Sequence, residues 1–134
     1  MERNTVSNPL TIVTSPLSVK DSVNKLSDLL KEKGITIFAV IDHAEAGRAS
    51  GFEMKDEILV IFGDPKAGTN LMLESPSIGI ELPLKILVWQ ESETLIGYID
   101  PKLLAGEFPI AKNILLLEKM SALMASLVRE LQIQ

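Results

Sequence analysis

Phe62–Trp89, FGDPKAGTNLMLESPSIGIELPLKILVW, is the stretch on which the fold turns. Three prolines (65, 76 and 83) and three glycines (63, 68 and 79) punctuate it at short intervals, with apolar runs between them. Glu57 to Phe62, which runs into it, is apolar on both faces, and Gly63-Asp64-Pro65 ends that strand. Ala67 to Glu74 has the length of a short helix. Pro83 stands where a strand tolerates proline, at its beginning, so Leu84 to Gln90 reads as the next strand. This backbone path has more specified corners than a generic domain needs, and it marks where a site would lie.

Downstream, Thr94 to Ile99 completes a hairpin with Leu84 to Gln90 through Glu91-Ser92-Glu93. Upstream, Ile35 to Asp42 is a strand whose alternation puts Ile35, Ile37, Ala39 and Ile41 on one face and Thr36, Phe38 and Val40 on the other. Leu10 to Thr14 is a short β-branched strand. Between those two strands, Ser18 can cap a helix, with Asp21 three residues on. Val19, Val23, Leu26 and Leu30 follow at helical spacing, and Gly34 supplies the stop. Lys20, Lys25, Asp28, Lys31 and Glu32 form its solvated face. The polar region through Gly51 has room for a helical turn at Ala44 to Ala49, and Lys102 to Ala105 for another after Asp100-Pro101. From about Pro109 a long helix runs onward with Ile110, Ile114, Leu117, Met124, Val128 and Leu131 on one stripe, widened by Leu116, Met120, Leu123 and Leu127. This order predicts an α+β fold, a mostly antiparallel sheet of about five strands with two main helices. Residues 1–134 read as a single domain, with residues 1–9 as a loose lead-in.

The bulk chemistry excludes several classes. The chain has 134 residues, 46% hydrophobic and 23% charged, which is ordinary globular composition and enough for a core without staples. A net charge of −5 with no Lys/Arg cluster repels a phosphate backbone, so no nucleic acid partner is expected. Cysteine is absent, which removes disulfides, thiol catalysis and zinc–thiolate sites. The first residues carry no apolar signal core and no long apolar run occurs, so the reading is a cytoplasmic protein without a membrane partner. Two main helices cover only one side of a sheet whose central strands are apolar on both. A second copy of the chain, as a homodimer, is expected on the other side; loops are the alternative cover.

Gly63-Asp64-Pro65-Lys66-Ala67-Gly68-Thr69 has the context of a phosphate loop, after a strand and before a helix. Thr69 stands where that loop needs its lysine, so nucleotide hydrolysis fails. Free N–H groups of Gly68, Thr69 and Asn70, with Lys66 nearby, could still hold a phosphate or carboxylate. Turn chemistry alone also accounts for these residue types. His43 is the single histidine and Asp42 adjoins it, but alternation sends neighbours to opposite faces, and one histidine makes a poor transition-metal site. Its plain reading is a half-buried, hydrogen-bonded strand-end residue. Lys85 shares a strand face with Leu87 and Trp89. If that face is the core, its ammonium must be paired or tuned; if not, it snorkels to water. Trp89 and Tyr98 on adjacent strands either line a pocket or pack together. No metal and no cofactor are expected.

With these residues placed, the chain resembles the uncharacterised family catalogued as the three-hundred-and-second domain of unknown function. The likeness runs from about Ser15 to Tyr98. It is carried by Ser18-Val19, Phe38, Ile41-Asp42-His43-Ala44 and Phe62-Gly63-x-Pro65-Lys66-x-Gly68-Thr69. Leu71-Met72, Pro76, Gly79 and Leu82-Pro83-Leu84-Lys85-x-Leu87-Val88-Trp89 continue it. The resemblance implies a TATA-binding-protein-like α+β fold, a curved antiparallel sheet with helices on it, usually as a homodimer. It implies no established activity. Asp64 departs from a frequent asparagine, Met54-Lys55-Asp56-Glu57 from an Arg-Pro-Thr-like stretch and Gln90 from an acid. Gly106-Glu107-Phe108 stands near where relatives often carry an Arg-His pair, so a two-histidine mechanism is unavailable.

The expectation is therefore a module that binds a small acidic molecule or anion through His43, Lys66, Gly68, Thr69 and Lys85. The alternatives are an enzyme using His43 or Lys85 as general base, and a structural or interaction protein without a ligand.

Overall fold

The computed structural model describes residues 8–133. Five strands form one antiparallel sheet in the order β1-β5-β4-β3-β2, where β1 is Thr11–Ser15, β2 Thr36–Asp42, β3 Glu57–Gly63, β4 Leu84–Gln90 and β5 Thr94–Tyr98. The sheet is open, with β1 and β2 as its edges. The architecture is α+β, as the sequence predicts, with two long helices, α1 (Val19–Glu32) and α4 (Ile114–Leu131), and two short ones, α2 (His43–Ala49) and α3 (Pro65–Glu74). Two 3-10 segments, Pro76–Ile80 and Pro101–Gly106, make corners after α3 and β5. Among the described residues no helix is long and apolar enough to cross a membrane.

The core lies on one face of the sheet. Ile58, Val60 and Phe62 of β3 stand opposite Val88, Ile86 and Leu84 of β4, and all six are buried. Ile96 of β5 and Val13 of β1 continue that face. α1 covers it with Val19, Val23, Leu26 and Leu30, and α4 with Leu117, Met124, Leu127 and Leu131. α1 begins where its sequence signals place it: Ser18 accepts the Asp21 N–H at 3.1 Å, and Gly34, at φ 68°, turns the chain out after the last turn.

Three local expectations change. The alternation of β2 breaks, because the register slips between Ile37 and Ala39 with Phe38 as the extra residue. Ile37 therefore faces the core opposite Phe62, whereas Ala39 and Ile41 lie opposite Ile61 and Leu59 on the other face. α3 starts at Pro65 rather than Ala67. Pro65 suits a first helical position, and the Asp64 carboxylate accepts the Lys66 N–H at 3.0 Å as the cap. The last helix begins at Ile114 rather than Pro109. The physical reason is Glu74, whose carboxylate accepts the N–H groups of Ala111 (2.5 Å), Lys112 (2.8 Å) and Asn113 (3.0 Å), along with the Asn113 side-chain amide (2.8 Å). These bonds hold residues 111–113 in a turn against the end of α3, and α4 starts beyond that turn.

The expected lead-in of residues 1–9 falls largely outside the described residues.

Candidate functional site

Two cavities flank the start of β4, and Leu84 lines both. The first, a cleft of about 280 Å³, lies where four separate parts of the chain converge. Gly63, Asp64, Pro65, Gly68, Thr69 and Met72 supply one wall from the end of β3 and α3. Leu82-Pro83-Leu84 supplies another, with a cis peptide bond between Leu82 and Pro83. The bulged Phe38 of β2 and Met120 of α4 close it. Nine of its eleven lining residues are among those that carry the family resemblance. Asp64 and Thr69 carry the polar side chains among its lining residues, and Phe38 is 51% exposed.

The N-terminus of α3 is not a vacant anion site. Because the helix starts at Pro65, the Gly68 N–H already donates to the Asp64 carbonyl at 3.1 Å. The Asp64 carboxylate sits on the Lys66 N–H, so a negative charge of the chain's own already occupies the positive end of the helix. Gly68 and Thr69 thus reach the cleft as lining residues rather than as free backbone donors. The Lys66 side chain is exposed and lines neither cavity.

The second cavity, of about 230 Å³, is lined from both sides of the sheet: by Leu84, Leu104 and, from α4, Met124 on the helix side, and by residues of the opposite face. Leu59, Leu87 and Gly97 line it from that face, with Leu10, Ile99 and Pro101 around them and Lys85 and Glu81 as its charged members. The Leu87–Trp89 face of β4 is the one turned away from the core, so Lys85 is no core lysine. It is half-buried, and its ammonium donates to the carbonyls of Glu81 at 2.7 Å and Pro83 at 3.1 Å. Tyr98 also touches this cavity, from the core side. Burial, and then the neighbouring Asp100 carboxylate, push its phenol above the ordinary value, against an opposing hydrogen bond from Thr11. Trp89 and Tyr98 are on opposite faces and do not pack together. Instead the Trp89 ring lies against Gly97, and a β-carbon there would stand 2.9 Å from Cζ3.

His43 belongs to neither cavity. It is the exposed first residue of α2, and Asp42 is that helix's cap, accepting the Glu45 N–H at 2.9 Å. Asp42 pairs with Ile58, at the beginning of β3, whereas Gly63 at its far end pairs with Thr36. At a rise of about 3.3 Å per residue, His43 and the 63–69 segment are separated by nearly the strand's length, roughly 20 Å. The site expected from the sequence is therefore divided into three places. Among the described residues no three His, Cys, Asp or Glu side chains converge as metal ligands.

Glu74 is the polar residue that sequence reading missed. Its backbone donors, Ala111 first and Lys112 next, hold the carboxyl at about 2, below the usual 4.5. Glu74 joins α3 to the segment before α4, and both helices wall the cleft. A carboxylate at the end of a helix followed far downstream by a Pro-bounded segment gives no local sequence signal.

Known proteins agree with this fold. The family described as "Domain of unknown function DUF302" matches residues 11–130. The crystal structure of an uncharacterized conserved DUF302 protein from Bacillus stearothermophilus superposes with a TM-score of 0.82 at 18% identity, covering 93% of this chain and 99% of that one. A relative named fluoride-specific ion channel FluC 1, from Brucella suis biovar 1, is 32% identical over 82 residues, 61% of this chain and 32% of the relative. A protein of the same name from Brucella abortus biovar 1 matches at the same identity over 30% of its length. The chain thus spans about a third of these curated relatives. With the family matched across nearly the whole sequence and the same architecture in a solved member, the chain belongs to the DUF302 family, a domain of unknown function.

Proposed function

We propose that the protein is a binding module that takes a small, mostly apolar molecule in the cleft beside α3. One observation carries this reading. Four chain segments distant in sequence converge on a cavity of about 280 Å³ whose lining side chains are apolar apart from Asp64 and Thr69. Pockets for small ligands have this composition, a hydrophobic lining with a few polar groups that fix orientation. Asp64 at the rim favours a ligand head that donates hydrogen bonds, neutral or cationic. The ligand reading is thereby revised from acid to donor at this site. His43 and Lys85, the bases of the enzyme reading, do not line this cleft, which favours binding over general-base catalysis there. The channel activity named for the Brucella relatives is not carried over, because the matched part is about a third of those proteins.

A second copy of the chain is proposed for the open face of the sheet. Ala39, Ile41, Leu59, Ile61, Leu87 and Trp89 form that face, and a two-fold pair of identical faces is the commonest way to cover such a surface.

A fragment screen by NMR tests the binding reading. Apolar fragments bearing an amine or amide should shift the amides of residues 63–72 and 82–84 together. Shifts confined to the open face, or no binder among several hundred fragments, would overturn it.

A further inference from the structure

We propose that the cavity beside Lys85 is a second, independent binding site, for a small apolar molecule that ends in a carboxylate. Its case does not rest on the cleft. An ammonium has three N–H donors, and Lys85 gives two of them to the carbonyls of Glu81 and Pro83. One donor and the whole positive charge remain. Among the described residues the one ion pair joins Arg48 to Asp56 at 2.7 Å, so no side-chain carboxylate is in ion-pair contact with Lys85.

A half-buried cation without a contacting counter-ion, beside a cavity, favours an anion there, because partial removal from water raises the value of an opposite charge. The two carbonyls fix the ammonium in place before any ligand arrives, which lowers the ordering cost of binding. Leu59, Leu87, Ile99 and Pro101 require that the rest of the ligand be hydrocarbon. At about 230 Å³ the cavity falls below the range of drug-sized pockets, so a short chain or single ring suits it. Glu81 lines the same cavity and its charge opposes an anion. Its side chain limits the affinity rather than creating it.

The protein carries its own reporter. Trp89 is the single tryptophan, and its ring rests on Gly97, which lines this cavity and not the cleft. Octanoate titrated into the intact protein should change Trp89 fluorescence saturably, with a matching heat by calorimetry. Octanol and octylammonium should bind at least about tenfold more weakly, the worth of one charge-assisted hydrogen bond. Lys85→Met should lose octanoate by a similar factor, Lys85→Arg should retain most of it, and Glu81→Gln should tighten it. Equal binding of octanol and octanoate to the wild-type protein would overturn the proposal without any variant. So would the absence of saturation, retained octanoate binding in a folded Lys85→Met protein, or weaker binding in Glu81→Gln, which would point to a cationic or zwitterionic occupant.

Discussion

Gly97 and Gly68 show how the same residue type serves different ends. At Gly97 a β-carbon would meet the Trp89 ring at 2.9 Å and Leu10 at 3.2 Å, so the glycine is there for a close approach. At Gly68, in α3, the nearest atoms are Leu82 Cδ1 at 3.9 Å and Met72 Cε at 4.0 Å, ordinary contact distances. Gly97→Ala should therefore destabilise the fold by about 1–3 kcal/mol through overpacking. Gly68→Ala should stabilise it by about 0.5–1 kcal/mol, the gain of alanine over glycine within a helix. Urea unfolding of the two variants checks both signs, and loss of the fold in Gly68→Ala would return the 63–69 motif to a purely structural role. The separation of Trp89 from Tyr98 was legible in the hairpin. A three-residue turn pairs Trp89 with Leu95 and Leu87 with Gly97, which puts odd-numbered residues of both strands on one face and Tyr98 on the other. The direction of the Lys85 ammonium was not legible, since it depends on carbonyls presented by the 81–83 turn.

Among the elements, strand and helix identities followed from periodicity and caps, and the misplacements have specific causes. Phe38 is a large apolar residue in a run of others, and nothing in Ile35–Asp42 marks it as the one extra residue of a bulge. The start of α4 moved because Glu74, thirty-seven positions before Ala111, anchors residues 111–113 in a turn against the end of α3. Its carboxyl is held at about 2, so the folded state binds its proton more weakly than the unfolded chain, where the value is near 4.5. The stability it contributes is present above about pH 4.5 and is lost as pH falls from there toward 2. Glu74→Gln should therefore lower the melting temperature at neutral pH, and the gap between variant and wild type should close through that acid window. A gap that stays constant down to pH 2 would show that Glu74 acts through shape rather than charge. Hydrogen exchange should place the loss at residues 111–113 and the end of α3.

For the whole molecule, antiparallel topology is what divided the expected site. In a β2-α2-β3 unit the linker and the far end of β3 are at opposite ends of the sheet, so His43 and Gly63 could not meet once the strands paired in this way. That much was implicit in the predicted strand order. The cleft itself was not, because it needs the corner at Pro76–Ile80, the turn at Leu82-Pro83 and Met120 of α4 to close on α3. The open face bears on assembly. Ile41 is 40% exposed there, and a charge at its position should prevent a second copy from docking while leaving the core untouched. Sedimentation should find the wild-type chain as a dimer and Ile41→Asp as a monomer; a monomeric wild type would remove the proposed partner.

The cleft is the central claim, and Gly68 gives the most direct way to test it. The Gly68 Cβ direction leads to Leu82 and Met72, both in the cleft wall, so the side chain of Gly68→Leu should occupy the cavity from inside without disturbing α3. Calorimetry of the tightest cleft-binding fragment against wild type and Gly68→Leu is the measurement. The expected result is a loss of affinity of tenfold or more, about 1.4 kcal/mol, in a variant that melts no lower than wild type. Undiminished binding to the folded variant would contradict the assignment of the ligand to this cleft.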